Sequence, residues 1–397
     1  MLYRPLTRNE YAAAQQLDAL GFFYPYDAMG IEEELEEPED PPELKSLWGA
    51  LDDRGDLAAK LALTPRQMTF RRSTIALATV GAVVTHPSYR RQGVMASLLR
   101  ESLRAAARAG ASFAALLPFS VPYYRRFDFV CAFARQQVNV ALADLATGAC
   151  SGSGRLYHPG DGQQADIRAV YEDFAGRYNL MLRREPSHWR EALHCQPEQM
   201  GQYLYLWYDS QGQPKAYARI QDDADNPKTL LATEFCFVDL EGCRGMLHFL
   251  GNLGGIRQRL RICLPPPATA MGCLNDLTDA RITQTHPVMA RMISVPGALA
   301  AMPAPDDSGR VVLEVADGYL PENTGRYQVC WERGQLGVQP SQQEPDIALS
   351  VGALTHLALG SLTLEQVAGL PDVSLHHQAD RLEALFSPCL CEMMDNF

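Results

Sequence analysis

The segment 80–96, VGAVVTHPSYRRQGVMA, constrains this chain more than any other stretch. A β-branched run breaks at His86-Pro87, passes arginines at 90 and 91, and reaches Gly93 just before an amphipathic pattern. Apolar residues at 95, 98, 99, 103 and 106 share one helical face, and the pattern stops near Gly110. The expected unit is a strand, a cationic turn and a helix. Helix N-terminal amides point outward and carry the positive end of the macrodipole, so such a terminus takes a phosphate. Gly93 lets a ligand approach the backbone, and Arg90 and Arg91 add charge-assisted bonds. Gly81 inside the strand marks a bulge or a close backbone approach.

The neighbouring segments extend this unit. Residues 57–63 and 66–71 read as hairpin arms around Thr64-Pro65, and the acidic, proline-broken 32–43 reads as an exposed loop. Residues 112–118 read as a strand, Pro122 opens a short helix holding Tyr123, Tyr124 and Phe127, and 129–133 read as another strand. The middle of the chain repeats the order of helices, strands, helix and strand, without a counterpart to Arg90-Arg91-Gln92-Gly93. Pro265-Pro266-Pro267 signals a linker, and 288–293 and 297–302 read as helical pieces. The expected division is 1–145, 146–285 and 286–397.

Composition excludes several classes. At 47% hydrophobic residues the chain is not intrinsically disordered, and no apolar run of 18 residues is present to cross a membrane. The opening MLYRPLTRNEY has no cationic-then-apolar leader. The net charge of −12 argues against nucleic acid, and residues 286–397 alone carry −9, which favours cationic partners. The ten cysteines are scattered without a C-x-x-C, and His376-His377 reads as a surface pair, so no metal site is expected. Reduced thiols in a cytoplasmic protein are the reading.

The residues TH-P-S-Y-R-R-Q-G (85–93), the helix after them, the strand FAALLPF (113–119) and Tyr124-x-x-Phe127 resemble the GNAT superfamily of N-acetyltransferases. The whole chain resembles the enhanced intracellular survival family, through V-x-L-E-V-A-D (311–317), P-E-N-T-G-R-Y (321–327), D-I-A-L-S (346–350) and L-T-H-L-A-L-G (354–360). The resemblance implies an α+β fold. A catalytic GNAT domain is followed by a degenerate GNAT-like domain and a sterol-carrier-like α/β domain. The two GNAT units would have mixed central sheets flanked by helices.

The resemblance also implies acetyl-CoA as co-substrate. Its pantetheine arm would pair with Val83, Val84 and Thr85. Its pyrophosphate would lie on Arg91, Gln92, Gly93, Val94, Met95 and Ala96, with Phe119 and Ser120 completing the cofactor-binding set. Position 95 departs from the family's Gly or Ala, and Asp128 stands where the family has glycine. Family members use the tyrosine matching Tyr124 as general acid, with Tyr123 the rival position, and the carboxylate of a terminal phenylalanine, matching Phe397, as base. Glu392 and Asp395 read as surface carboxylates, with a place beside the amine as the alternative. The acceptor expected from the resemblance is a small cationic amine, and the assembly a homohexamer. No membrane or nucleic-acid partner is expected. Two other readings stay open: a lipid- or small-molecule-binding protein, and a scaffold with a relic acetyltransferase domain.

Overall fold

The structure is a computed structural model that describes residues 1–36, 39, 45–145, 150–195, 201–266 and 270–395. The first segment contains β1 (Leu2–Pro5), α1 (Tyr11–Phe22), α2 (Ala28–Glu36), β2 (Leu47–Leu51), β3 (Leu57–Phe70), β4 (Ser73–Thr85), α3 (Val94–Arg108), β5 (Phe113–Leu116), α4 (Val121–Arg125) and β6 (Val130–Ala141). The middle segment contains β7 (Gly152–Leu156), α5 (Gln164–Ala175), α6 (Pro186–Ala192), β8 (Tyr203–Asp209), β9 (Pro214–Asp223), β10 (Asn226–Phe237), α7 (Leu240–Gly251), β11 (Arg259–Leu264) and β12 (Arg281–Met292). The last segment contains α8 (Val295–Ala300), β13 (Gly309–Ala316), β14 (Gly325–Glu332), β15 (Gln335–Pro340), β16 (Ile347–Ser350), α9 (Val351–Leu359), α10 (Leu364–Ala368), β17 (Ser374–Leu375) and α11 (Ala379–Leu385).

Among the described residues, one sheet of 12 strands runs β1-β2-β3-β4-β5-β12-β6-β11-β10-β9-β8-β7. Read inward from either edge, each half has four antiparallel strands, then one parallel neighbour (β4 with β5, β10 with β11), then an antiparallel closing strand. The closing strands are exchanged. β12, at the end of the middle segment, closes the first half, while β6 from the first segment closes the second. The two halves are therefore interlocked through the β6–β12 pair, and position 285 lies inside β12.

Three local expectations are corrected. Residues 57–70 form one continuous strand rather than a hairpin. β3 pairs with β2 only as far as Ala62 and with β4 along Ala59–Phe70, so the missing N–H of Pro65 falls on an edge without a β2 partner. Residues 288–293, read as helical, lie largely in β12, where Val288, Met289, Ala290 and Met292 are all fully buried, β6 pairing as far as Ala290 and β5 from Met289 to Met292. A short apolar run buried on both faces carries no period to separate strand from helix. The expected acidic loop begins as helix α2, and 37–38 and 40–44 lie outside the described residues.

The last segment forms a five-stranded sheet, β15-β14-β13-β16-β17. Its core merges with that of the first half. Val311, Leu313 and Leu354 share one apolar cluster with Met68, Leu77, Phe113 and Met292. Helix α9 is capped by Ser350, whose hydroxyl accepts from Ala353 N, and it is buried on all sides except at His356. It is anchored on the large sheet, where Thr355 Oγ1 accepts from Met292 N at 3.0 Å and Ala358 O accepts from Arg71 Nε at 2.8 Å. The chain then returns between the two halves. Asn179 bonds this tail on both sides, donating from N to Leu390 O at 2.8 Å and accepting from Glu392 N at 3.0 Å.

Candidate active site

β4 and β5 pair in parallel from Leu77–Phe113 to Val80–Leu116, where β5 stops. β4 runs on to Thr85 with β3 on one side and no strand on the other among the described residues. The carboxyl ends of two parallel strands thus part into a slot. On the β3 side the register slips between Lys60–Val84 and Ala62–Gly81, leaving Ala82 and Val83 as a bulge. Ala82 has φ 45°, a left-handed conformation that costs a β-carbon-bearing residue energy and turns the local amides out of the ladder. Gly81 therefore marks a bulge, as its place in the strand suggests. Val84 is buried against α1, where a Cβ on Gly21 would come within 2.5 Å of Val84 Cγ1.

α3 starts at the same end. Gly93 is its N-cap with φ 78° and no side-chain cap, so the first-turn amides of Val94, Met95 and Ala96 are not satisfied by a capping side chain. No heavy atom lies within 4 Å of a Cβ placed on Gly93, so the constraint there is backbone conformation and not space. Arg90 Nε donates to Thr85 O at 3.2 Å and Gln92 Nε2 to Ser88 O at 2.9 Å, which fixes the turn. Arg91, also in the left-handed region, is exposed. The Met95 side chain is buried beneath α3 with Val94, Leu98 and Leu99, so the departure at 95 places a thioether in the core and leaves the outward amide unaltered.

The segment after β5 faces this slot. Phe119 is 70% exposed, Ser120 is the N-cap of α4, and Tyr124 is 2% exposed. Tyr124 packs edge-on to Phe119, Tyr123 and Phe129. Burial, with Tyr123 beside it, raises the Tyr124 hydroxyl well above the usual phenol range. Asp128 takes φ 58° in the following turn, a conformation aspartate tolerates, and Phe129 N still donates to Tyr124 O at 3.3 Å. The structure therefore gathers Val83, Val84, Thr85, Arg91, Gln92, Gly93, Val94, Met95, Ala96, Phe119, Ser120 and Tyr124 at one end of the β4–β5 pair. Phe397 lies outside the described residues.

Sequence reasoning missed the support behind these groups. Arg291 of β12 has no exposed side-chain surface. It donates to Phe127 O at 2.6 Å and pairs with Asp317 Oδ2 at 2.6 Å. Asp317 also accepts from Tyr319 N, Leu320 N and Asn323 Nδ2. Tyr319 donates its hydroxyl to Ala96 O in the first turn of α3, and Arg104 of α3 pairs with Glu322 at 2.8 Å. The third segment thus holds the cationic helix terminus directly and, through Arg291 of β12, the turn after Tyr124. No spacing rule links residues 291, 317 and 96, so no sequence signal announced them. Glu392 and Asp395 are not free surface carboxylates. Glu392 is 3% exposed near Arg135, and Asp395 pairs with the buried Arg184 at 2.8 Å.

Comparison with known proteins agrees with this architecture. Residues 2–132 and 180–292 each match an acetyltransferase (GNAT) domain family, and residues 295–390 match a sterol carrier protein domain family. The chain is 26% identical over 302 residues to the N-acetyltransferase Eis of Mycobacterium tuberculosis and to that of Mycobacterium bovis, covering 72% of this chain and 72% of theirs. Its fold is that of Eis1 from Mycobacterium abscessus, with TM-score 0.79, 21% identity and full coverage of both chains. A GCN5-related N-acetyltransferase from Anabaena variabilis superposes with TM-score 0.85 at 17% identity, again with 100% coverage of both chains. The chain belongs to the GNAT acetyltransferases and is Eis-like, with two GNAT domains followed by a C-terminal sterol-carrier-type domain.

Proposed function

We propose that the enzyme moves the acetyl group of acetyl-CoA to a primary amine by direct attack in a ternary complex, and that the first GNAT domain, within the expected 1–145, performs the chemistry. The observation that carries this is the convergence at one slot of a bulged, unpaired strand edge, an uncapped helix N-terminus and a buried tyrosine. The edge of Val83–Thr85 offers amides to the pantetheine arm, and the terminus at Arg91–Ala96 takes the pyrophosphate. The amine nitrogen attacks the thioester carbon, and the bulge amide near Val83 stabilises the developing oxyanion. The C–S bond then breaks, and the Tyr124 hydroxyl delivers its proton to the departing thiolate. Burial keeps the Tyr124 hydroxyl protonated, so the proton is in place to be given as negative charge develops on sulfur. The amine proton leaves towards the Phe397 carboxylate, the role implied by the family resemblance.

The acceptor class is a small amine, a polyamine, aminoglycoside or lysine among them. The cysteines form no disulfide among the described residues, which supports a reducing, cytoplasmic setting. A hexamer is proposed from the resemblance, and sedimentation velocity tests it. The decisive assay is free-thiol release from acetyl-CoA over a panel of these amines, using intact protein, Tyr124→Phe and a chain lacking Phe397. Turnover by intact protein with large losses of kcat in both variants is expected. Full activity in both variants would remove Tyr124 and Phe397 from the mechanism.

A further inference from the structure

Arg66, Arg184 and Arg219 line a recess of about 230 Å³, together with His188, Glu234 and Asp395. The register places it on the sheet face opposite α3. Directly paired residues share a sheet face, so Arg66 faces the same way as Leu77, and Ala62 the same way as Gly81. Ala78 and Val80 pack under α3, whereas Leu77 belongs to the cluster on the opposite face. The recess therefore opens on the face away from the helix terminus. Along β4 it lies four residues back from Gly81, about 13 Å at the usual strand rise.

The three arginines face three lining carboxylates, Glu191, Glu234 and Asp395, but the close pairing is uneven. Arg184 takes both inner carboxylates, Glu234 at 2.9 Å and Asp395 at 2.8 Å. Glu234 also accepts from the Tyr217 hydroxyl, and Arg219 reaches it only at 3.9 Å, with its Nε enclosed and unpartnered. Arg66 has no carboxylate within ion-pair distance among the described residues, Glu191 at the rim included. Its Nη1 meets His188 Nε2, and its Nε is enclosed without a partner. Burial, with Arg66 beside it, lowers the His188 pKa, and an imidazole in either protonation state supplies no anion for Arg66. Arg66 is half-buried, and Glu185, Asp395 and Glu191 act on it only from beyond ion-pair distance, so an entering carboxylate or phosphate meets a guanidinium with no close anion.

We propose that this recess is an anion subsite for the acceptor: the substrate is an amine that carries a carboxylate or phosphate on the order of 10 Å from its nitrogen, read by Arg66 with Arg219 beside it. This narrows the expected cationic acceptor to a zwitterionic one. It rests on the acyl-transfer reading only for the amine end.

The test is calorimetric binding to the full chain, with and without CoA, of 8-aminooctanoate, 8-aminooctyl phosphate and the neutral 8-aminooctanamide. At least one anionic probe is expected to bind at least tenfold tighter than the amide. Arg66→Ala and Arg66→Gln should abolish that advantage and leave CoA binding unchanged. The tighter of the two anions names the group. Equal affinity for acid and amide, a preference that survives both variants, or no binding of any probe overturns the subsite. Failure of CoA itself to bind overturns the acyl-transfer reading and leaves the anion comparison measurable.

Discussion

Asp317→Asn tests how the third segment supports the first half of the large sheet. Arg291 has no exposed side-chain surface, and Asp317 is its close carboxylate partner at 2.6 Å, with Asp128 standing off at 3.9 Å. The amide keeps the shape of Asp317 but removes its charge, leaving a buried cation uncompensated. Removing one partner of a buried pair costs about 3–5 kcal/mol. For 397 residues unfolding together, the unfolding entropy is about 0.8 kcal/mol per kelvin, so the expected fall in Tm is about 4–6 °C. Arg291→Met should cost less, because Asp317 keeps three donors, from Tyr319 N, Leu320 N and Asn323 Nδ2. Scanning calorimetry gives the order of the two variants. Thiol-release kinetics well below Tm should show a several-fold loss in kcat for Asp317→Asn, because Arg291 also holds Phe127 O behind Tyr124. A Tm change under about 1 °C for Asp317→Asn, or a larger loss for Arg291→Met, would refute the charge argument.

Other outcomes follow from the same geometry. Tyr124→Phe should lower kcat by about 10²–10⁴ while leaving the KM for acetyl-CoA within about twofold. Because burial holds the Tyr124 hydroxyl above the usual phenol range, the intact enzyme should show no falling limb from this group below about pH 10. Gly93→Ala keeps the space but forces a β-carbon to φ 78°, at about 1–2 kcal/mol, so the KM for acetyl-CoA should rise up to roughly tenfold in steady-state kinetics. Burial pushes the Glu392 carboxyl up to about 7, against Met393 N and Arg135. The folded state then holds a proton that the unfolded state releases near pH 4.5, so this residue's contribution to stability falls as pH rises from about 4.5 to about 7. Glu392→Gln should remove that slope and raise stability at pH 8 by at most about 3 kcal/mol, read from Tm at pH 5 and pH 8.

The turn into α3 was legible because its information is local. Gly81, Arg90, Arg91, Gly93 and the 3.6-residue pattern of α3 lie within one short stretch, and each reports its own backbone or face. Pro122 and Tyr124 were legible for the same reason. The misread places are those where a neighbour distant in sequence decides. Pro65 looked like a turn until the end of β2 left its missing donor on a free edge, and 288–293 looked helical until β5 and β6 flanked it.

By itself, then, the sequence determined the elements with internal periods and the turn whose glycine and arginines act on adjacent atoms. It also carried the resemblance to a three-part acetyltransferase. Only the tertiary structure decided the exchange of β6 and β12, the seating of α9 on the large sheet and the pairing of Arg291 with Asp317. It alone left Arg66 without a carboxylate while Arg184 took two. Burial and charge compensation are properties of surroundings assembled from segments far apart in the chain, and no spacing along the chain encodes them.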